Sequence, residues 1–380
     1  MKKLSVCVWC FLMVGMIGVL PARAMHEKDA EDRIEALSAR IEALEKTAAD
    51  KQASSRWMEV FSFSGLLEAE AGYEKLNPEA AGEPTDKSSD VTLATMQLGV
   101  DATLNEHVSG HVLFLWEQDD TEPVDLDEGF VTISGGEQRP VYVTAGKYYL
   151  PFGNYETHFI SDPFTLELGE ANESAVMCGY HGALFDINAG AFNGDINQTD
   201  EDDHVENAFA GASFTLPDDW AGPVSLTAGI SYISSIADTD GLSGEIAGRD
   251  GEEGTGGLKD DVGGMAGYVT IGFEDRAFFK AGYVGALDEF EPGELAFVDG
   301  KAKPSAWNFE AAYVTGSRIG AGLKYEGTDD CGDFLPETGF GAIIFWYPFE
   351  QTFVGLEYMH QEYDTRDIGQ NLTAQLAYEF

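Results

Sequence analysis

The chain has 380 residues, with 67 Asp and Glu against 22 Lys and Arg, and a formal net charge of −45. So large an acidic excess repels polyanions, which excludes nucleic acid as a partner and favours cations near the surface. The four cysteines, Cys7, Cys10, Cys178 and Cys331, are too few for a disulfide framework.

Residues 1–24 are typical of a secretory signal peptide. Residues 1–3 are cationic, residues 4–20 carry no charge, and Ala22-Arg23-Ala24 is a small-x-small cleavage signature. An uncleaved anchor is the alternative, but an apolar core of 17 residues is short for a spanning helix. Cleavage before Met25 would remove three basic residues, giving a net charge of −48, and would leave two cysteines that we expect as free thiols.

Residues 25–55 carry the pattern of a short coiled coil. Ile34, Leu37, Ile41 and Leu44 have the 3-4 spacing of an apolar seam, and the sequence RIEAL occurs at both 33–37 and 40–44. We predict an α-helical coiled-coil stub in the periplasm that favours oligomers. A single solvated helix is the alternative.

From residue 56 to residue 380 the pattern changes to a period of two, typical of strands with one apolar and one polar face. We count sixteen such segments, separated alternately by short turns and long loops, which is the arrangement of outer-membrane barrels. The predicted fold class is therefore all-β. It is a closed antiparallel transmembrane β-barrel of about 16 strands, preceded by the coiled-coil stub and surrounded by outer-membrane lipid.

A barrel of this size is too wide for its own side chains to fill, so we predict a water-filled interior. Polar residues of the inward face are then expected to line the lumen. They include Glu68, Asp101, Glu128, Asp186, Lys280, Glu310, Lys324, Glu326 and Glu357.

The third long loop, residues 150–172, is more apolar than its neighbours. Its side chains, Phe152, Phe159, Phe164 and Leu168 among them, would be buried if the loop folded into the barrel, where it would narrow the pore. Ordinary solvation of the loop is the alternative. The polar residues predicted to line the constriction are Glu156, His158, Asp162, Glu167, Glu170 and Glu173.

We predict no enzymatic activity, no cofactor and no metal centre. The histidines are scattered, and no Gly-x-Ser-x-Gly elbow occurs in the sequence. The acidic runs at 200–204 and 329–330 could attract a divalent cation, but they lack the spacing of a calcium loop, which favours solvated loops.

Four motifs lie in and around the third long loop: GKYYLPFGNYE at 146–156, ISDP at 160–163, LELGE at 166–170 and ESAV at 173–176. In these motifs the chain resembles the LbtU-type siderophore porins, and the N-terminal stub and the ending at residues 370–380 fit that family. The resemblance implies an outer-membrane porin that admits a ferric siderophore without a plug domain. PFG at 151–153 also resembles phosphate-selective porins, but the loop lacks their basic clusters.

The functional hypothesis is passive passage of a small-molecule solute, by resemblance a ferric siderophore. A general cation-preferring diffusion porin and a structural envelope anchor are the alternatives. The last strand, which ends in Phe380, predicts recognition by the barrel assembly machinery. Resemblance to porins of this size implies a homo-oligomer.

Overall fold

The computed structural model describes residues 60–79, 84–118, 121, 123–136, 139–196, 198, 204–217, 220, 222–247, 258–274 and 276–380, together with Arg40. The chain divides into two compact units, Met1–Glu59 and Val60–Phe380. The second unit is the one described below. Apart from Arg40, the predicted signal peptide and stub lie outside the described residues.

Sixteen antiparallel strands form one closed barrel, in which each strand pairs with its neighbours in sequence and β1 pairs with β16. The predicted all-β class and strand number are confirmed. The strands are β1 (Phe61–Asn77), β2 (Asp86–Asn105), β3 (Val108–Glu117), β4 (Asp125–Ser134), β5 (Val141–Tyr149), β6 (Asn172–His181), β7 (Phe185–Phe192), β8 (Asn207–Thr215), β9 (Val224–Ile233), β10 (Gly264–Phe273), β11 (Ala277–Ala286), β12 (Ser305–Val314), β13 (Ile319–Asp329), β14 (Thr338–Trp346), β15 (Thr352–Glu362) and β16 (Ile368–Glu379).

The barrel closes where Gly65 of β1 meets Phe380. The Gly65 N–H donates to the Phe380 carbonyl at 2.9 Å, and the Phe380 N–H donates to the Gly65 carbonyl at 3.0 Å. A β-carbon at residue 65 would overlap the Phe380 ring, so glycine allows that ring to lie on the outer wall. Closure pairs backbone groups that an open sheet edge would leave without partners.

The strands alternate between an apolar outer face and a more polar inner face. On β12 and β13, for example, Phe309 and Leu323 are exposed on the outside, whereas Glu310 and Lys324 are buried inside. A bulge between β1 and β2 interrupts the alternation near the candidate passage. Glu68 pairs with Thr95 and the next residue of β1 pairs with Leu93, so Ala94 is unpaired. Ala94 lines an interior cavity, although simple alternation predicts it on the outer face.

The connections differ in length at the two ends of the barrel. One end, here the turn end, carries residues 106–107, 135–140, 182–184, 216–223, 274–276, 315–318 and 347–351. The other, the loop end, carries residues 78–85, 118–124, 150–171, 193–206, 234–263, 287–304, 330–337 and 363–367. The described parts of these loops contain three short helices: α1 (Phe164–Gly169), α2 (Asp240–Gly244) and a 3₁₀ helix at Ile236–Asp238. Within the described residues, no helix has the length and apolar character needed to cross a membrane.

Five of the long loops pack into one apolar cluster inside the loop end. They contribute Phe152, Phe164 and Leu168, then Ile196, then Ile236, Leu242 and Leu258, then Phe290 and Leu295, and finally Cys331 and Leu335. The cluster rests on inward residues of β5 to β12, such as Phe192, Phe209 and Val284. Because these loops occupy that side of the barrel, the candidate passage described below lies beside β1, β2, β15 and β16.

Candidate functional site

The loop between β5 and β6, residues 150–171, lies inside the barrel and is named the inner loop. Its entry is a tight bend in which Gly153 adopts a φ of +91°, a conformation that favours glycine. The Tyr155 hydroxyl donates to the Phe152 carbonyl at 2.5 Å across the bend. The Gly153 N–H donates to the Ser231 hydroxyl of β9 at 2.9 Å, which anchors the bend to the wall.

The next part of the inner loop is held by β11 and β12. The Lys280 ammonium group donates to the Glu156 carbonyl at 2.6 Å, and the Thr157 hydroxyl donates to the Glu310 carboxylate at 2.9 Å. The Glu156 carboxylate itself is largely exposed. Backbone and hydroxyl groups therefore attach this part of the loop.

The tip of the inner loop is held by β13 and β15. The Glu357 carboxylate accepts hydrogen bonds from the Ile160 N–H at 2.5 Å, from the Ser161 N–H at 3.3 Å and from the Ser161 hydroxyl. The Lys324 ammonium group donates to the Ser161 carbonyl at 3.1 Å and to its hydroxyl at 2.9 Å. It also lies 5.2 Å from the centroid of the Phe159 ring, within range of a cation–π contact.

A buried ion pair lies beneath the tip. The Lys324 ammonium and the Glu326 carboxylate are 3.4 Å apart, and both side chains are fully buried. Glu326 also accepts the N–H of Phe164, the first residue of α1, at 3.2 Å. Groups of the inner loop thus form hydrogen bonds with both Lys324 and Glu326, as a buried ion pair requires.

Two cavities remain between the inner loop and the wall formed by β1, β2, β15 and β16. The loop-side cavity has a volume of about 700 Å³, and its acidic lining residues are Glu68, Glu70, Glu74, Glu117, Asp162 and Glu357. The turn-side cavity has a volume of about 470 Å³, and Glu68, Glu379 and His158 are among the residues that line it.

Glu68, Phe159 and Gln375 line both cavities. These three side chains lie where the two cavities adjoin, so a route from one cavity to the other would pass them, and they form the candidate constriction. The Gln375 amide donates to the Glu70 carboxylate at 2.8 Å, which fixes the amide beside the acidic wall. Phe159 supplies the opposite, apolar edge from the tip of the inner loop.

The two cavities carry charge of one sign. Among the described residues that line them, none is Lys or Arg. The two interior lysines nearest the loop, Lys280 and Lys324, donate instead to inner-loop oxygens. A narrow acidic passage with a low-dielectric wall concentrates cations and repels anions.

The structure does not bring the six predicted constriction residues together at one place. Asp162 lines the loop-side cavity and His158 lines the turn-side cavity. The other four, Glu156, Glu167, Glu170 and Glu173, line neither cavity. The inner loop turns at α1 toward the 234–263 loop, where the Asp240 N–H donates to the Glu170 carbonyl at 2.8 Å.

The nine predicted lumen residues also divide into groups. Glu68 lines both cavities, while Asp101 and Asp186 contact His111 at 2.7 Å and His181 at 2.8 Å. Glu128 lies on β4, outside the lining of the two cavities. The remaining five hold the inner loop or its buried ion pair: Lys280, Glu310, Lys324, Glu326 and Glu357. Lys324 and Glu326 are covered by the loop, which corrects their assignment to an open lumen wall.

Sequence reasoning missed Glu70, Glu117 and the role of Phe159. Glu70 could have been found, because it is two residues from Glu68 on the same face of β1. Glu117 required the pairing register, which sets it opposite Thr95, itself opposite Glu68. Phe159 could not be assigned before the path of the loop was known.

Buried acids of the loops have altered pKa values. Burial, followed by the charge of Asp240, raises the pKa of Glu170 to about 8. Burial raises the pKa of Asp238 to about 6, although hydrogen bonds from Ile196 and Ser235 oppose the rise. Burial also raises the pKa of Asp162, and the nearby Lys324 opposes it. Glu170 is therefore mostly protonated at neutral pH.

Within the part of the chain that the structure describes, no three His, Cys, Asp or Glu side chains are grouped so as to hold a metal ion. Of the acidic runs considered above, residues 200–203 lie outside the described residues. Asp330 accepts the Lys303 N–H at 3.1 Å. Cys178 is exposed, Cys331 is buried, and both are free thiols.

A closed sixteen-strand barrel with a loop folded inside defines a porin-like fold, and solved structures share it. The chain is similar to OprB of Pseudomonas putida, with 12% identity and a TM-score of 0.58 over 86% of this chain and 96% of that one. It is also similar to the outer membrane channel DcaP of Acinetobacter baumannii, with 15% identity and a TM-score of 0.57 over 84% and 97%. An anion-selective porin from Comamonas acidovorans gives 11% identity and a TM-score of 0.56 over 84% and 99%. At these identities the similarity concerns the fold.

Several curated relatives are similar in sequence, among them two UPF0422 proteins. A UPF0422 protein of Legionella pneumophila is 28% identical over 329 residues, which cover 80% of this chain and 59% of the relative. A UPF0422 protein of Coxiella burnetii is 26% identical over 322 residues, which cover 80% of this chain and 65% of the relative. The chain thus spans less than two thirds of the length of these relatives. No family model matches the chain, and the resemblance to LbtU-type porins stays a prediction.

Proposed function

We propose that this protein is a passive, cation-preferring diffusion channel of the outer membrane. The observation that carries the proposal is the pair of adjoining cavities inside a closed barrel, which are lined by carboxylates and share Glu68. The inner loop narrows the route between them and is attached to β9, β11, β12, β13 and β15. The positions of these strands therefore determine the width of the route.

The proposed location follows from the two faces of the strands. An exposed apolar outer face suits lipid, and a polar inner face suits water. In this arrangement the loop end faces the exterior, and the turn end and the N-terminal stub face the periplasm. Assembly through the strand ending in Phe380 and association into a homo-oligomer belong to the same proposal.

Ion currents test the proposed function. The full chain, folded into a planar bilayer, should conduct in KCl, and its reversal potential under a tenfold gradient should show K⁺ passing more readily than Cl⁻. Absence of conductance in correctly folded protein would favour the structural-anchor alternative. A preference for Cl⁻ would reject the acidic route as the conducting path.

A ferric siderophore is the cargo implied by the family resemblance. It remains a hypothesis because it rests on the family resemblance alone. The motifs that carry this resemblance lie at 146–176, a stretch that includes the whole inner loop. Liposome swelling distinguishes the two cargo hypotheses. Faster entry of a ferric siderophore than of a neutral solute of equal size would support the siderophore hypothesis. Equal entry of the two solutes would support a general porin.

A further inference from the structure

The wall of the turn-side cavity includes an aromatic cluster. Tyr347 and Phe353 both line this cavity, and their ring centroids are 5.7 Å apart. Phe345 packs behind them, with centroids 5.6 Å from Tyr347 and 5.9 Å from Phe353. Phe345 is buried, while Tyr347 and Phe353 are only partly buried and offer ring surface to the cavity.

A few apolar side chains also reach the lining of the loop-side cavity, which is otherwise mainly polar. Phe159 belongs to both cavities, and Ile160 and Met359 line the loop-side one. Apolar and aromatic side chains thus follow the passage from one cavity to the other. Both cavities also carry carboxylates, with Glu68 shared by the two and Glu379 in the turn-side one.

This combination suits a particular class of solute. Carboxylates attract a positive charge, and the faces of aromatic rings bind ammonium groups and apolar bodies. Hydrated inorganic ions make no use of an aromatic wall, and sugars, which can stack on aromatic rings, carry no charge for the carboxylates to attract. We propose that the channel selects organic ammonium ions that carry an aromatic or apolar body. This inference rests on the proposed function and specifies its substrate class.

Permeability measurements with three probes test the proposal. Under bi-ionic conditions in a planar bilayer, benzyltrimethylammonium should permeate at least as well as the smaller choline, and benzenesulfonate should permeate least. Choline exceeding benzyltrimethylammonium, as size alone dictates, would overturn the inference while leaving a cation channel. Absence of current or a preference for the anion would instead overturn the proposed function.

A double variant tests the rings directly. Tyr347→Leu with Phe353→Leu keeps an apolar wall but removes both aromatic faces, and should lower the benzyltrimethylammonium-to-choline ratio about threefold. Phe349→Leu is the matched control, because Phe349 is exposed in the same turn and lines neither cavity. Heat-dependent migration on gels verifies folding of each variant. An unchanged ratio in the folded double variant, or an equal fall in the control, would refute the aromatic selection.

Discussion

The ammonium group of Lys324 on β13 lies 3.1 Å from the carbonyl oxygen of Ser161 and 2.9 Å from its hydroxyl oxygen, although 163 positions separate the two residues in the chain. Ser161 is at the tip of the inner loop, and Glu357 holds it from β15. The position of the constriction therefore depends on a few charged groups of the barrel wall.

Replacing Lys324 by Met should release the tip of the inner loop. The variant leaves the Glu326 carboxylate buried without its cation, which costs about 3 kcal/mol of stability. We expect a lower midpoint for heat-induced unfolding and a noisier single-channel current. Lys301→Met is the control, since the ion pairs that Lys301 forms among the described residues, at 3.0 Å with Glu291 and 3.5 Å with Glu289, are exposed and contribute little to stability. A quiet current and an unchanged midpoint in Lys324→Met would contradict the anchoring role.

Replacing Glu68 by Gln should weaken cation preference. The change removes one charge from the point that both cavities share, so the K⁺-to-Cl⁻ permeability ratio should fall by about a factor of two. Reversal potentials under a KCl gradient measure the ratio. Glu106→Gln, in an exposed turn, should leave it unchanged. If the two variants gave the same ratio, the passage would not run past Glu68.

Raising the pH from 6 to 9 should destabilise the contact between the inner loop and the 234–263 loop. Burial raises the pKa of Glu170 to about 8, so the folded state binds a proton that the unfolded state releases near pH 4.5. The stabilisation is present in full below pH 4.5 and is lost as the pH rises through about 8. Ionised Glu170 would then repel Asp240.

Thermal midpoints at pH 6 and pH 9 measure this effect. Glu170→Gln should show a smaller fall with pH than the parent chain. Glu156→Gln is the control, because the Glu156 carboxylate is 84% exposed and should keep the parent's pH dependence. An equal fall in all three proteins would assign the pH dependence to other groups.

Replacing Phe380 by Ala should weaken barrel closure. The ring packs over Gly65 on the outer wall, so its loss removes several van der Waals contacts and should lower the stability of the closed barrel by about 1 kcal/mol. Urea titration of the chain folded in lipid vesicles, followed by gel migration, gives the measurement. Phe63→Ala is the control, because it removes a different exposed aromatic side chain, one that lies on β1. Identical urea midpoints for both variants would show that the contact with Gly65 contributes nothing.

The two thiols of the barrel should differ in reactivity. Cys178 is exposed, whereas burial raises the pKa of Cys331 to about 12, which suppresses the reactive thiolate at neutral pH. Alkylation of folded protein in detergent should therefore modify the peptide containing Cys178 and spare the one containing Cys331. Unfolding in urea should expose both. Modification of Cys331 in folded protein would show that the 330–337 loop opens.

The amino-acid sequence was sufficient to predict the sixteen strands, because an apolar outer face and a polar inner face require residues of alternating polarity along each strand. The alternation also identified inward residues such as Glu310 and Glu357, and it failed at Ala94, where a bulge adds one residue to β2. The apolar character of residues 150–172 indicated a loop that needed burial.

The sequence could not assign roles within the lumen. Glu68 and Lys324 have the same pattern of inward-facing charge on a strand, yet Glu68 borders the passage and Lys324 lies buried beneath Ser161. The periodicity of a strand depends on the two environments that its faces meet. It can therefore be recognised from neighbouring residues in the sequence. The position of a constriction depends on contacts between residues far apart in the chain, so the path of the inner loop across the barrel alone decided it.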